Sequence, residues 1–156
     1  MDEDLAAKFR SLTQEASAAE QRQSAAVDTA KQRRQRFEND VRDRIDREIA
    51  PALQEIGSAL SEGGWSVGVE RPQQTTVVVA LHKGKIRAHG GPPRVEFRAH
   101  PDGEALVVET YSMGHGGSDG QLTFAEFTPR KAQEKVLQLL KRLSDEIASG
   151  NFRATI

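Results

Sequence analysis

The chain has 156 residues, enough for one domain with an extension, and its formal net charge of −1 provides no overall field that would attract nucleic acid or an anionic membrane. It contains no cysteine, which excludes disulfides, thiolate catalysis and cysteine-ligated zinc. A hydrophobic content of 37% with 29% charged residues is typical of a domain that carries a long solvated helix.

The N-terminus begins Met-Asp-Glu-Asp, which is acidic where a secretory signal peptide is basic. No run of about 18 apolar residues follows, as a membrane-spanning helix would need. These features predict a soluble, cytoplasmic protein.

The first 50 residues contain no glycine and no proline, and they predict one long helix. Apolar or small residues recur through it at alternating intervals of four and three, which is the spacing of a coiled-coil seam. A seam this narrow needs a second helix to cover it, so the pattern predicts a coiled-coil stalk that oligomerises. We call these positions the N-terminal stripe: Leu5, Phe9, Leu12, Ala16, Ala19, Gln23, Ala26, Ala30 and Phe37.

Charge is distributed unevenly along this helix. Residues 1–20 have an acidic excess, whereas residues 31–36 carry four cations and no acid. Two antiparallel copies crossing near Gln23 would place each acidic end over the basic stretch of the other copy, and surface charges can decide between similar arrangements. We therefore expect a homodimer, with an antiparallel direction favoured. The alternative is a monomer whose helix folds across its own head.

The basic stretch 31–36 also permits a nucleic-acid or membrane-surface binder. Acidic residues alternate with the arginines immediately afterwards, through residues 38–48, as on a solvated helix face. Nucleic-acid and membrane partners are therefore not expected.

From Phe37 onward the apolar residues are bulkier and mostly four apart, which predicts that this end packs on the protein's own head and that the apolar face drifts around the helix. Pro51 predicts a kink, and the helix should end near Glu62, before Gly63 and Gly64. The expected division is a coiled-coil stalk over residues 1–50 and a small α+β head over residues 51–156.

The head contains five strand-like segments with no helix between them, which predicts an antiparallel β-meander. A tight turn at His100-Pro-Asp-Gly103 joins the third and fourth strands. A final helix, capped by Thr128 and followed by Gly150, has a broad apolar face that should cover the sheet. The fold class is therefore α+β. The expected strands are residues 65–69, 75–81, 94–99, 105–111 and 121–127.

No motif for a catalytic site, a cofactor or a metal ion is recognisable, and none is expected. The glycine-rich segment 113–120 contains His115, Ser118 and Asp119, but adjacent positions do not make a catalytic triad. Its simplest interpretation is a flexible hairpin connection. An enzyme of an unrecognised family would require His115, Asp119 and His89 to meet in one pocket.

These features favour a non-enzymatic oligomeric adaptor or assembly protein, in which a coiled-coil dimer presents a head that binds another protein. The alternatives are an enzyme that uses the loop 113–120, and a nucleic-acid or membrane-surface binder that uses residues 31–36. The predicted partner-binding residues lie within residues 82–94 and in the glycine-rich segment 113–120: Lys83, Lys85, Arg87, Arg94, His115 and Asp119.

Overall fold

A computed structural model describes residues 2–150 of the chain. A long helix is followed by five strands and a last helix, as the sequence predicts. In chain order the elements are α1 (Glu3–Arg44), a π-helical turn (Ile45–Ile49), α2 (Ala50–Ser61), β1 (Ser66–Gln73), β2 (Thr76–His82), β3 (Arg94–Ala99), β4 (Ala105–Tyr111), β5 (Gly116–Thr123) and α3 (Pro129–Ser149).

The chain divides into two compact units between Arg36 and Phe37, upstream of the division expected at residue 50. The first unit is the α-helical segment from Glu3 to Arg36, with exposed side chains at every position from 7 to 36. The second unit begins with the last two turns of α1 and contains all other elements. We call this second unit the head.

The apolar residues that follow Phe37 pack on the head, as expected. Val41, Ile45, Ile49 and Leu53 are all fully buried in one cluster with the sheet and α3. In an α-helix each step of four residues rotates the side chain by about 40°, so this row should leave the core after a few steps. The wider turn at Ile45–Ile49, closed by a hydrogen bond from the Ala50 N–H to the Ile45 carbonyl, corrects the drift.

Pro51 lies in the first turn of α2, directly after the π-helical turn. The helix ends at Ser61, and Gly63 and Gly64 form the following turn. A kink at Pro51 and a coiled coil in the first unit stay predictions.

The sheet is an antiparallel meander with strand order β1-β2-β3-β4-β5. Strands β3 and β4 have the expected limits, because strict alternation in β3 and the turn between them define both locally. One face of the sheet packs against residues 41–53 and α3, and its centre is filled by Val77, Phe97 and Val108.

Strand β5 begins five residues earlier than expected, because most of the glycine-rich segment is itself part of the strand. Backbone hydrogen bonds to β4 suffice for pairing and need no side chains. The register shifts between Val107 and Glu109, opposite Gly120. Gly120 has a φ of 95°, which is unfavourable for a residue with a side chain. The expected flexible loop at 113–120 is thereby reduced to a short turn before Gly116.

The last helix begins as predicted. The Thr128 hydroxyl accepts a hydrogen bond from the Lys131 N–H at 3.1 Å, and Gly150 ends the helix with a φ of 69°. Its apolar face, with Val136, Leu139 and Leu143, is buried in the core of the head. The protein thus has the α+β architecture expected. Across residues 2–150, no helix combines the length and apolarity that a membrane crossing requires.

Candidate functional site

The N-terminal stripe places large apolar side chains in water. Leu5, Phe9 and Leu12 are 45%, 56% and 63% exposed, and Val27 further along is 57% exposed. The small members of the stripe between positions 16 and 30 are exposed as well. Three large residues on one face, at intervals of four and three, form an apolar row that lacks the packing from which most helices in proteins gain their stability.

Phe37 differs from the rest of the stripe. Its ring is half-buried and packs edge-on against Phe124, with 6.3 Å between the ring centroids. The guanidinium of Arg44 lies 3.7 Å from the centroid of the Phe124 ring and donates to the Phe124 carbonyl. Phe37 therefore belongs to the head.

Arg94, a predicted partner-binding residue, is used within the head. Its guanidinium lies 4.0 Å above the centroid of the Tyr111 ring, and Nη1 donates to the carbonyls of Pro92 at 3.1 Å and His89 at 3.3 Å. Its Nε donates to Glu96 Oε1 at 3.2 Å, and the side chain is only 16% exposed. Arg94 thus fastens the connection between β2 and β3 to the sheet.

A polar network continues from Tyr111 across the same face of the sheet. The Tyr111 hydroxyl donates to Glu109 Oε2 at 2.6 Å, and Arg98 Nη1 donates to Glu109 Oε1 at 2.5 Å. These two hydrogen bonds, with that from Tyr111 the larger cause, lower the pKa of Glu109, and the same bond to the carboxylate raises the pKa of Tyr111. Because every charge here has a partner, this face resembles a satisfied surface network more than an open binding site.

Two of the three residues in the enzyme hypothesis share a depression. His89 and His115 line a cavity of about 480 Å³ together with Tyr111 and the turn at residues 112–114. Asp119 does not line it, because its carboxylate accepts from the Thr110 hydroxyl at 3.0 Å and lies 3.8 Å from Lys135 Nζ on α3. The structure therefore brings His89 and His115 together without Asp119.

Glu146 of α3 holds this turn, and sequence reasoning missed it. Its carboxylate accepts from the Ser112 hydroxyl at 2.9 Å and from the N–H groups of Met113 at 3.2 Å and Gly114 at 2.6 Å. In the sequence, Glu146 is one charged residue among many on a helix, and no local pattern marks its distant partners.

The remaining predicted partner-binding residues lie in the connection after β2. Lys83 Nζ is 5.6 Å from the centroid of the Trp65 ring, at the rim of a cavity of about 380 Å³. Lys85 and Arg87 are exposed. The Lys83 cavity adjoins an apolar depression of about 170 Å³ between α2 and α3, where Leu137 is 66% exposed.

No group of three or more potential metal-ligating side chains occurs within residues 2–150. Comparisons with models of known protein families, with curated proteins and with solved structures find no match for this chain. Any proposal about function therefore depends on the surfaces described above.

Proposed function

We propose that this protein is a non-enzymatic oligomeric adaptor, in which the part of the N-terminal stripe before Phe37 pairs with that of a second copy and the head binds another protein. The observation that carries the proposal is the exposure of Leu5, Phe9 and Leu12 on one face of a helix. Pairing would remove this apolar surface from water, which contributes roughly 25 cal/mol for each Å² buried.

The adaptor mechanism is geometric. Two heads on one helical pair would meet a multivalent target at a raised effective concentration, without any new contact in either head. The exposed cations Lys85 and Arg87 support a partner with acidic groups at this connection, since Arg94 is already engaged. A cytoplasmic location is part of this proposal.

The test is the mass of the protein in solution by light scattering. We expect the wild-type chain to have the mass of two chains, and the triple variant Leu5→Ala, Phe9→Ala, Leu12→Ala to have the mass of one. Alanine preserves helix propensity, so the variant should lose pairing without losing the helix. Leu137→Ala removes an equally exposed leucine from the head and should remain dimeric. A monomeric wild-type protein would contradict the proposal.

A further inference from the structure

The N-terminal stripe has a heptad frame that restricts how two copies can pair. Positions of the two seam types, a and d, alternate along it, and in an antiparallel pair each a residue faces a d residue of the other helix. Residues of type a are Phe9, Ala16, Gln23 and Ala30, and those of type d are Leu5, Leu12, Ala19, Ala26 and Arg33.

The head removes Phe37 from this seam. Its ring already contacts Phe124, and the compact head begins at this residue. A crossing near Gln23, which bulk charge alone favours, would require Phe37 to receive the partner's Phe9. It would also place Gln23 against the partner's Gln23, so that two a positions would face each other. The seam that remains available ends at Arg33.

We propose that two copies pair antiparallel through residues 2–33, in a register centred between Ser17 and Ala18. This proposal rests on the dimer proposed above and specifies its geometry. Each large apolar side chain then faces an alanine or a glutamine, so that no two large apolar residues share a layer. The layers are Leu5 with the partner's Ala30, Phe9 with the partner's Ala26, Leu12 with the partner's Gln23, and Ala16 with the partner's Ala19.

Charge selects this register over its neighbours. It brings Glu15 beside the partner's Arg22, twice by symmetry, and it aligns Asp2 with the partner's Arg33. Within the described part of the chain, neither Glu15 nor Arg22 has an ion-pair partner of its own. Opposite charges at such flanking positions set partner orientation in coiled coils.

The rival registers juxtapose like charges. Moving the crossing point half a heptad towards the N-terminus brings Glu15 beside the partner's Glu15. Moving it half a heptad towards the C-terminus brings Arg22 beside the partner's Arg22. A parallel pair in the same heptad frame brings Glu15 beside the partner's Glu20. Like charges at these positions disfavour each alternative.

Disulfide mapping tests the register directly, because the chain has no cysteine of its own. Leu12→Cys and Gln23→Cys are prepared as separate full-length variants, mixed, and oxidised. We expect a cross-linked dimer from the mixture only, because in the proposed register position 12 of one chain faces position 23 of the other. Both positions are exposed within the single chain, so the head should fold normally. If Gln23→Cys cross-links when oxidised by itself and Leu12→Cys does not, the register is wrong and the helices cross at Gln23. If each variant cross-links when it is oxidised by itself, the pair is parallel.

A charge-exchange experiment tests the same register without cysteine. Glu15→Arg and Arg22→Glu should each weaken dimerisation by about tenfold in sedimentation equilibrium, and the double variant should recover wild-type affinity. Additive weakening in the double variant would overturn the pairing of Glu15 with Arg22. If the unmodified protein is a monomer, the dimer itself is wrong. If it is a dimer but the mixed cysteine variants do not cross-link, only the register is wrong.

Discussion

Glu109 illustrates how much a single residue depends on the two strands around it. Its carboxylate receives hydrogen bonds from Tyr111 and Arg98, both of which favour the charged form and lower its pKa in the folded protein. A lowered folded pKa means that this stabilisation is fully present above the ordinary pKa of a glutamate, near 4.3. It is lost as the pH falls through that value towards the folded pKa.

We expect Glu109→Gln to lower the free energy of unfolding by about 1–2 kcal/mol at pH 7, because the amide loses the charge-assisted bonds. The difference from wild type should shrink as the pH falls below about 4. Urea unfolding between pH 3 and pH 8 measures this difference. Glu104→Gln, at an exposed position in the preceding turn, should have little effect at any pH. A difference for Glu109→Gln that stays constant with pH would contradict the role of the carboxylate charge.

The pH dependence of the stabilisation from Tyr111 has the opposite sign to that from Glu109. Its raised pKa means that the stabilisation from the protonated hydroxyl is present below the ordinary tyrosine pKa near 10 and is lost as the pH rises above it. The network therefore supports the head across the neutral range and weakens at both extremes.

At the scale of elements, α3 does more than cover the sheet. Through Glu146 it also ties down the turn between β4 and β5, where the buried Ser112 hydroxyl and two backbone N–H groups share one carboxylate. This turn forms one wall of the depression that contains His89 and His115. The position of His115 therefore depends on a residue far away in the sequence.

Glu146→Ala should destabilise the head by about 1–3 kcal/mol, since it leaves a buried hydroxyl and amide donors without their acceptor. The amide of Gly114 should exchange with solvent faster in hydrogen-exchange measurements. Asp145→Ala, one residue earlier and exposed, is the matched control and should change neither quantity. Equal exchange at Gly114 in wild type and in Glu146→Ala would contradict the tether.

The π-helical turn is a second property at this scale. The spacing of four residues from Phe37 to Leu53 predicted an apolar face that drifts around the helix. The chain instead keeps Val41, Ile45 and Ile49 buried by widening one turn. Burial of three large apolar side chains outweighs the cost of one irregular turn, because each contributes about 1.5–3 kcal/mol.

At the scale of the whole molecule, the buried core lies entirely in the head. The core cluster begins at Val41, with Phe37 packed beside it, and includes no residue before Phe37 among those described. The helical segment before it buries none of its stripe. We therefore expect the head to fold whether or not the proposed pairing of the stripe takes place.

A chain that begins at Phe37 should fold with a free energy of unfolding within about 1 kcal/mol of the full-length value, because only exposed helical turns are removed. It should also be monomeric. Urea unfolding followed by Trp65 fluorescence measures the first quantity, and light scattering measures the second. A shortened chain that is unfolded would show that the head needs the stripe. A shortened chain that is still dimeric would locate the dimer contact in the head.

Much of the fold was predictable because it is encoded locally. The absence of glycine and proline over the first 50 residues, the alternation in β3, the turn at His100 and the cap at Thr128 each act within a few neighbours, and each predicted element is present. The predicted start of strand β5 was too late because glycine has a low strand propensity. The pairing of β5 with β4 needs only backbone groups. The candidate site was less predictable: Lys85 and Arg87 are exposed, whereas Arg94 contacts Tyr111 and Asp119 accepts a hydrogen bond from Thr110 within the head.

The sequence by itself determined the order and type of the elements and the apolar row of the N-terminal helix, since both depend on patterns along a single segment. Only the tertiary structure decided where the head begins, which charged residues are already paired, and that Glu146 holds the turn beside His115. Those properties depend on contacts between segments that are distant in the sequence. The energy of such a contact depends on distance and burial, which a linear pattern does not contain.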